Sequence, residues 1–256
     1  MSHPLFDIHE RVALVTGSSR GIGRALAQCL AEAGCVVVLN GRDESALTQT
    51  RKELAELTGG TVLAEAFDVT DPTAVADGIA RIEKRAGPLD ILVNNTGAQH
   101  RTPFTEFPTQ DWYRLLDTNL SSAFLVGREV AHQMVARGWG KIVNICSVQS
   151  EVVRPGIAPY AATKGGMKML TKGMCADLGP SGIQVNGLAP GYFDTDLTAA
   201  LVADEKFSAW VRGRTPAGRW GKVEDLFGAL IFLCSPASDF VTGQVLYVDG
   251  GMLSVL

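Results

Sequence analysis

Between the apolar run Val12-Ala13-Leu14-Val15 and a helical stretch lies Thr16-Gly17-Ser18-Ser19-Arg20-Gly21-Ile22-Gly23, which constrains the fold more than any other segment. Glycines let a backbone turn sharply and approach another group with no Cβ in the way. Set between a buried strand and a helix N-terminus, such a turn suits a pyrophosphate, because first-turn amides and the helix dipole both face negative charge. A turn that only reverses the chain needs one glycine at positive φ, and three stand here. The spacing differs from G-x-G-x-x-G, with three residues between the first two glycines rather than one.

The same alternation continues along the chain. Strands are predicted at Val12–Thr16, Val36–Asn40, a stretch ending near Asp68, Ile91–Asn94, Lys141–Ile145, Ile183–Ala189 and Val245–Val248. Helices are predicted at Gly21–Ala33, Glu44–Leu57, Pro72–Arg85, Asp111–Arg137, Tyr160–Leu178 and Val223–Cys234, with Asp71 and Pro72 as a cap and first-turn pair. Most of the strands lack polar alternation, which calls for a parallel sheet covered on both faces. The expected fold class is α/β. A single doubly wound Rossmann domain spans residues 1–256, with about seven parallel strands and helices on both faces. A chain of 256 residues, 46% of them hydrophobic, can bury a core of that size. The irregular stretch from Gly191 to Trp220 is expected to be a substrate lid, since long loops in compact domains are usually functional.

Charge and composition narrow the partners. The formal net charge is -4 and no dense Lys/Arg run occurs, so neither nucleic acid nor an acidic membrane surface is expected as a partner. Cys29, Cys35, Cys146, Cys175 and Cys234 form no C-x-x-C pair, which argues against a disulfide framework and a structural zinc. His3, His9, His100 and His132 lie far apart, and no metal is expected. No apolar run approaches the roughly 18 residues of a membrane span. Met1 to Arg11 has no apolar signal core, so cytoplasmic residence is expected.

Tyr160 and Lys164 stand four apart on a predicted helix and share one face. Ser147 follows the apolar strand Ile142-Val143-Asn144-Ile145-Cys146, at the edge where doubly wound sheets bind ligands. Asn94-Asn95-Thr96-Gly97, Asn119 and Pro190-Gly191 complete the series. In order and spacing these motifs resemble the short-chain dehydrogenase/reductase family over essentially the whole chain. The Thr16–Gly23 turn matches that family's T-G-x-x-x-G-x-G, and Thr96 departs from its N-N-A-G.

The resemblance implies an oxidoreductase that exchanges hydride through a nicotinamide cofactor. It assigns Gly17, Ser19, Arg20, Gly21, Ile22 and Gly23 to the phosphates, and Asp68 with Val69 to the adenine edge, although Asp68 could instead cap the following turn. Asn95, Pro190 and Gly191 are assigned to the cofactor as well. Tyr160 is the implied general acid/base. A free phenol titrates near ~10, and an ammonium such as that of Lys164 favours its ionised form. Lys164 would also bond the nicotinamide ribose, Ser147 would orient the substrate oxygen, and Asn119 would hold a water linking Lys164 to solvent.

An NAD site usually carries Asp or Glu at the end of the second strand. Here that region reads Leu39-Asn40-Gly41-Arg42, with Gly41 where the acid would stand. A guanidinium at Arg42, with Arg20 as a second cation, can grip a 2′-phosphate, so NADP is the expected cofactor. The alternative leaves both arginines in solvent and gives the ribose to Asp43.

The partner implied is a small-molecule alcohol or ketone. Gln99-His100-Arg101, Pro103 to Phe107, Asn144 to Glu151, Ala189 to Phe193, Arg214 to Gly221 and Val248 to Met252 resemble the branch of the family that handles sugar acids. That branch interconverts D-gluconate and 5-keto-D-gluconate. Such a substrate is an anion dense in hydroxyls, so Arg101 is the candidate for its carboxylate, and Gln149 and Glu151 for hydroxyls. Each of the three could equally be an ordinary exposed loop residue. Tyr192, Phe193 and Trp210 keep a greasier substrate open, as in a 3-ketoacyl carrier-protein reductase, and a cofactor-binding regulator without turnover is a further alternative. The family resemblance also implies a homotetramer or homodimer, joined through the helices holding Asn119 and Tyr160 and through a C-terminal segment. The apolar tail Met252 to Leu256 suits burial against a neighbour or against its own domain.

Overall fold

A computed structural model describes residues 3–195 and 198–256. Seven strands are seen among these residues: β1 Val12–Val15, β2 Val36–Gly41, β3 Val62–Ala66, β4 Ile91–Asn94, β5 Gly140–Ile145, β6 Ile183–Pro190 and β7 Val245–Val248. They pair in parallel in the order β3-β2-β1-β4-β5-β6-β7. The longer helices are α1 Gly21–Glu32, α2 Glu44–Thr58, α3 Pro72–Ala86, α4 Thr109–Leu116, α5 Ser122–Arg137, α6 Ala158–Leu178, α7 Ala199–Val202, α8 Glu205–Arg214 and α9 Phe227–Cys234. This is a doubly wound Rossmann-like α/β domain.

The inner strands are buried on both faces because successive residues point to opposite sides of the sheet and helices cover each side, whereas the edge strands β3 and β7 are only partly covered. Ala13 and Val15 face a core with Leu26 and Leu30 of α1, Leu47 of α2 and Leu230 of α9. Val12 and Leu14 face the other core, with Val75 and Ile79 of α3 and Val126 and Val130 of α5. Each such aliphatic side chain contributes about 1.5–3 kcal/mol when fully buried. Lys141 is the exception on β5: its side chain is wholly buried, and its Nζ donates to Asp239 at 2.6 Å and Ser238 at 3.3 Å.

Chain order reverses between β1 and β4, which opens a crevice beyond their carboxyl ends. The glycine-rich turn leaves β1, Asn94–Gly97 leaves β4, Ser147 follows β5, and Gly191 follows β6. Every motif of the proton-transfer and phosphate groups therefore lies at one edge of the sheet.

Three expectations change in detail. The helix predicted over Asp111–Arg137 is interrupted by a π-helical turn at Asp117–Ser121, where the Ser122 amide donates to the Asp117 carbonyl. The stretch from Gly191 to Trp220 is not irregular throughout, since it contains α7 and α8. Asp204 caps α8, accepting from the amides of Lys206 at 3.0 Å and Phe207 at 3.1 Å. Residues 196–197 of this stretch lie outside the described residues. In the C-terminal tail Met252 is buried against its own domain, whereas Val255 and Leu256 are exposed.

Candidate active site

The phosphate turn is shaped by close contacts as much as by backbone angles. Gly17 and Gly21 hold φ of 62° and 57°, a region that side chains with a Cβ rarely adopt. A Cβ on Gly23 would lie 2.3 Å from Asn95 Nδ2 and 2.4 Å from the Gly17 carbonyl oxygen, so only glycine fits there. Around Gly21 the space is open, with nothing within 4 Å of an added Cβ. Arg20 takes the N-cap position of α1 in extended conformation and makes no side-chain cap bond. The first-turn amides of a 12-residue helix thus face an open crevice without an internal acceptor, a cradle that fits a dinucleotide pyrophosphate. Ser19, on the same turn, accepts from Thr50 Oγ1 through its carbonyl at 2.9 Å, while Ile22 packs against the core.

Asn95 braces the turn. Its amide nitrogen donates to the carbonyls of Thr16 at 2.9 Å and Gly17 at 3.0 Å. Thr16 Oγ1 accepts in turn from the amides of Asn95 and Thr96. These bonds lock the turn after β1 to the turn after β4. The Asn95 side-chain nitrogen is spent on protein, so its service to a cofactor is to hold the cradle open.

The far end of the crevice brings Arg42 and Asp68 together, with Arg42 Nη1 3.7 Å from Asp68 Oδ2. Arg42 is 80% exposed and free to swing toward a phosphate. Asp68 Oδ1 accepts from the Thr70 amide at 2.9 Å and the Thr70 hydroxyl at 2.7 Å. Burial pushes the Asp68 carboxyl up, but those bonds and Arg42 outweigh it and hold the group below its ordinary value. Asp68 thus caps the turn after β3 while lying beside the adenine side of the crevice, next to buried Val69. Asp43, the alternative ribose partner, caps α2 by accepting from the Ala46 amide at 3.0 Å. Arg20 is exposed on the phosphate turn.

At the opposite end the proton-transfer groups converge. Ser147 and Lys164 are buried, and Tyr160 is half-buried. Lys164 Nζ lies 5.9 Å from the Tyr160 ring centroid and donates to the Ile145 carbonyl at 2.6 Å, which fixes the ammonium against the end of β5. A Cβ on Gly97 would fall 3.9 Å from Lys164 Nζ and 3.6 Å from Asn119 Oδ1, so the turn after β4 meets both.

Asn119 is fully buried inside the π turn. Its Oδ1 accepts from the Ala98 amide at 2.7 Å, and its Nδ2 donates to the Ala98 carbonyl at 2.9 Å and Thr163 Oγ1 at 3.1 Å. Both polar atoms of its side chain thus bond to protein. Asn119 ties the helix break to the loop after β4 and to α6 at Thr163, next to Lys164. π turns of this kind recur at functional sites for this reason.

Ser147 Oγ donates to Gln149 Oε1 and accepts from the Gln149 amide at 3.2 Å. Gln149 Nε2 reaches the Tyr192 hydroxyl at 3.4 Å. Tyr192 heads an aromatic group with Phe207, Trp210 and Trp220, whose ring centroids lie 5.6, 5.8 and 5.8 Å away. Burial raises the Tyr192 phenol, and the nearby Arg154 and Arg101 partly offset it. Phe193, in contrast, turns into the main core.

Arg101 Nη2 donates to Gln99 Oε1 at 2.7 Å. Its guanidinium is held below its ordinary value by burial and then by the like charge of Arg154, while Tyr192 and Tyr160 act in the opposite sense. Arg101 thus lies within electrostatic reach of the proton-transfer tyrosine. Glu151 does not join this group. Its carboxylate accepts from Lys168 and from the Tyr247 hydroxyl, on α6 and β7, and both bonds hold it below its ordinary value. Only Ser150 separates Gln149 from Glu151, and the chain there turns the two side chains to different partners. Glu151→Gln is expected to leave KM for substrate unchanged, whereas a large rise in a steady-state assay would return Glu151 to the pocket.

Arg154 and Phe207 are site residues that sequence reasoning missed. The one available signal was an arginine seven positions past Ser147, half-buried between the exposed Val152, Val153 and Pro155.

A pyrophosphate cradle at the β1/β4 switch point, with a Ser, Tyr and Lys group beyond β5, defines a nicotinamide-dependent oxidoreductase. The chain belongs to the short-chain dehydrogenase/reductase family: the profile described as enoyl-(acyl carrier protein) reductase matches residues 17–253. It is 58% identical over 253 residues to gluconate 5-dehydrogenase of Gluconobacter oxydans, covering 98% of each chain. It is 49% identical to 5-keto-D-gluconate 5-reductase of Escherichia coli K12, over 97% of this chain and 98% of that one. A crystal structure of a gluconate 5-dehydrogenase from Burkholderia cenocepacia, in complex with NADP and tartrate, superposes with a TM-score of 0.96 at 53% identity, covering 99% of each chain.

Proposed function

We propose that this protein interconverts D-gluconate and 5-keto-D-gluconate with NADP. The observation that carries the reading is near-full-length likeness to two enzymes named for that reaction, and the Ser147–Gln149–Tyr192 bonds, with Arg101 as the candidate cation, support it. An anion dense in hydroxyls needs a cation and polar side chains, and this surround supplies both. A 3-ketoacyl reductase would need an apolar channel, and the aromatic group here is threaded with Gln149 and two arginines.

The residues divide the chemistry as follows. Gly17, Gly21 and the first turn of α1 would hold the pyrophosphate, Arg20 and Arg42 the 2′-phosphate, and Lys164 the nicotinamide ribose. The bound cofactor supplies or accepts hydride at its nicotinamide ring. Ser147 Oγ and the Tyr160 hydroxyl hold the substrate oxygen between them. In reduction Tyr160 gives its proton to that oxygen, and in oxidation it takes the proton back. Lys164, one helical turn away, keeps a positive charge beside the phenol, and Asn119 holds Lys164 in place through the Ala98 and Thr163 contacts. Arg101 takes the substrate carboxylate, and Gln149 takes a hydroxyl once substrate competes for its bond to Ser147. Residues 191–220, with the Tyr192 aromatic group, close over the substrate as a lid.

Two tests follow. Purified protein incubated with NADP and D-gluconate should yield a ketone at C5, read by carbon NMR. A ketone at another carbon, or none, would move the substrate elsewhere. Arg42→Ala should weaken NADPH binding by about 10- to 100-fold, the range for a hydrogen bond to a charged group, and leave NADH binding unchanged. Equal effects on both cofactors in a calorimetric titration would remove Arg42 from the 2′-phosphate.

The working form is a homotetramer or homodimer in the cytoplasm. An apolar groove between α5 and α6, lined by Phe124, Ala131, Val135, Met174 and Leu178, supports a helix-to-helix interface, with exposed Leu256 near a second. Five free cysteines suit a reducing compartment. Among the described residues no helix is long and apolar enough to cross a membrane.

A further inference from the structure

Arg154 lies on the loop between Ser147 and α6, and the contacts around it bear on what the pocket accepts. Two loops meet there. The Thr102 amide donates to the Gly156 carbonyl at 3.1 Å, so Arg101 and Arg154 flank a backbone bond that joins their segments. The Arg154 guanidinium lies over the face of Phe207, with Cζ 5.2 Å from the ring centroid, and Phe207 belongs to α8 of the lid segment. Phe207 packs edge-on against Tyr192, Tyr192 bonds to Gln149, and Gln149 bonds to Ser147. Arg154 is therefore linked by unbroken contacts to the hydroxyl that orients the substrate oxygen.

Two guanidiniums on loops joined this way repel each other unless an anion lies between them. Among the described residues neither Arg101 nor Arg154 has an acidic partner, and Arg101 is satisfied only by the neutral Gln99. Arg154 lies on the lid side, over Phe207, and both charges act electrostatically on Tyr192. A carboxylate offers about four lone-pair sites and can accept from two arginine forks at once.

We propose that Arg154 is a specificity-determining residue that completes, with Arg101, a two-arginine seat for the substrate carboxylate. The seat rests on the sugar-acid reading given above and extends it. C1 and C5 of gluconate are separated by four carbon–carbon bonds, about 5 Å in an extended chain, so a carbonyl at Ser147 and Tyr160 leaves the carboxylate a short reach away. Because Arg154 is stacked on Phe207, a carboxylate bound there is also bound to the lid. The seat selects acids over neutral polyols of equal length, since a neutral ligand leaves two facing charges uncompensated.

The test compares binding of D-gluconate and of neutral D-glucitol to the NADP complex, by calorimetry, in wild type and Arg154→Met. Methionine keeps an apolar stem against Phe207 and removes the charge. The substitution should weaken D-gluconate binding by about 10- to 100-fold and leave D-glucitol and NADPH binding, and the melting temperature, unchanged. Arg154→Lys should restore part of the loss, because charge returns without the fork. Unchanged D-gluconate affinity in Arg154→Met, or an equal loss for D-glucitol, overturns the seat, as does a wild type that binds no gluconate. Turnover separates this inference from the reading beneath it. Wild type that reduces 5-keto-D-gluconate alongside an unaffected Arg154→Met removes the seat and keeps the reaction. Wild type that binds gluconate through Arg154 but turns over no 5-keto-D-gluconate keeps the seat and removes the reaction.

Discussion

Tyr160→Phe is expected to lower turnover of 5-keto-D-gluconate by about 10²- to 10⁴-fold, the range for loss of a positioned general acid. Phenylalanine preserves the ring and its place beside Lys164, whose Nζ lies 5.9 Å from the ring centroid. Only the proton is removed. The Lys164 bond to the Ile145 carbonyl and the Asn119 ties to Ala98 and Thr163 do not involve the phenol oxygen, so the surrounding frame should persist. NADPH affinity and melting temperature should therefore stay at wild-type values while kcat collapses. A matching loss of NADPH affinity would show that the hydroxyl holds the frame, and a kcat near wild type would remove Tyr160 from the chemistry.

Gly23→Ala should be strongly destabilising. Inside a helix Ala is ordinarily favoured over Gly by about 1 kcal/mol. Here the added Cβ would sit 2.4 Å from a backbone carbonyl and 2.3 Å from an amide nitrogen that already donates to Thr16 and Gly17. Relief requires Asn95 to give up those bonds, at about 1 kcal/mol each, on top of roughly 1–3 kcal/mol of overpacking. The net loss of about 2–4 kcal/mol corresponds to a fall of roughly 4–16 °C in melting temperature for a domain of this size. NADPH binding should be lost with it, because the same bonds lock the cradle. Gly228→Ala, on α9 with open space around it, is the control and should be neutral or mildly stabilising. If the two variants melt together and both bind NADPH, the turn does not depend on that contact.

The inner sheet was legible because strands buried on both faces appear as apolar runs, as at Ile91–Asn94, and the partly covered edge strand Val245–Val248 was legible from its apolar run as well. The phosphate turn was legible because its glycines answer to local geometry. What the sequence concealed depends on distant partners. The π turn at Asp117–Ser121 exists because Asn119 reaches Ala98 and Thr163, and a helical periodicity carries no trace of those bonds. Glu151 read as a pocket residue by nearness to Ser147, yet Lys168 and Tyr247 draw it away. Arg154 was invisible as a partner of Arg101 because their loops are joined only in space, through Thr102 and Gly156. Asn95 was placed at the cofactor by motif, and the structure shows why the motif matters: its amide ties two strand ends together.

The most direct measurement follows the absorbance of the reduced nicotinamide while the protein is mixed with 5-keto-D-gluconate, with NADPH and NADH in parallel. Rapid oxidation of NADPH and little of NADH is the expected result, and it would join the substrate to the Arg20 and Arg42 end of the crevice in one trace. Turnover with NADH alone would contradict the cofactor assignment. No turnover with either cofactor, from protein that binds NADPH, would contradict the substrate.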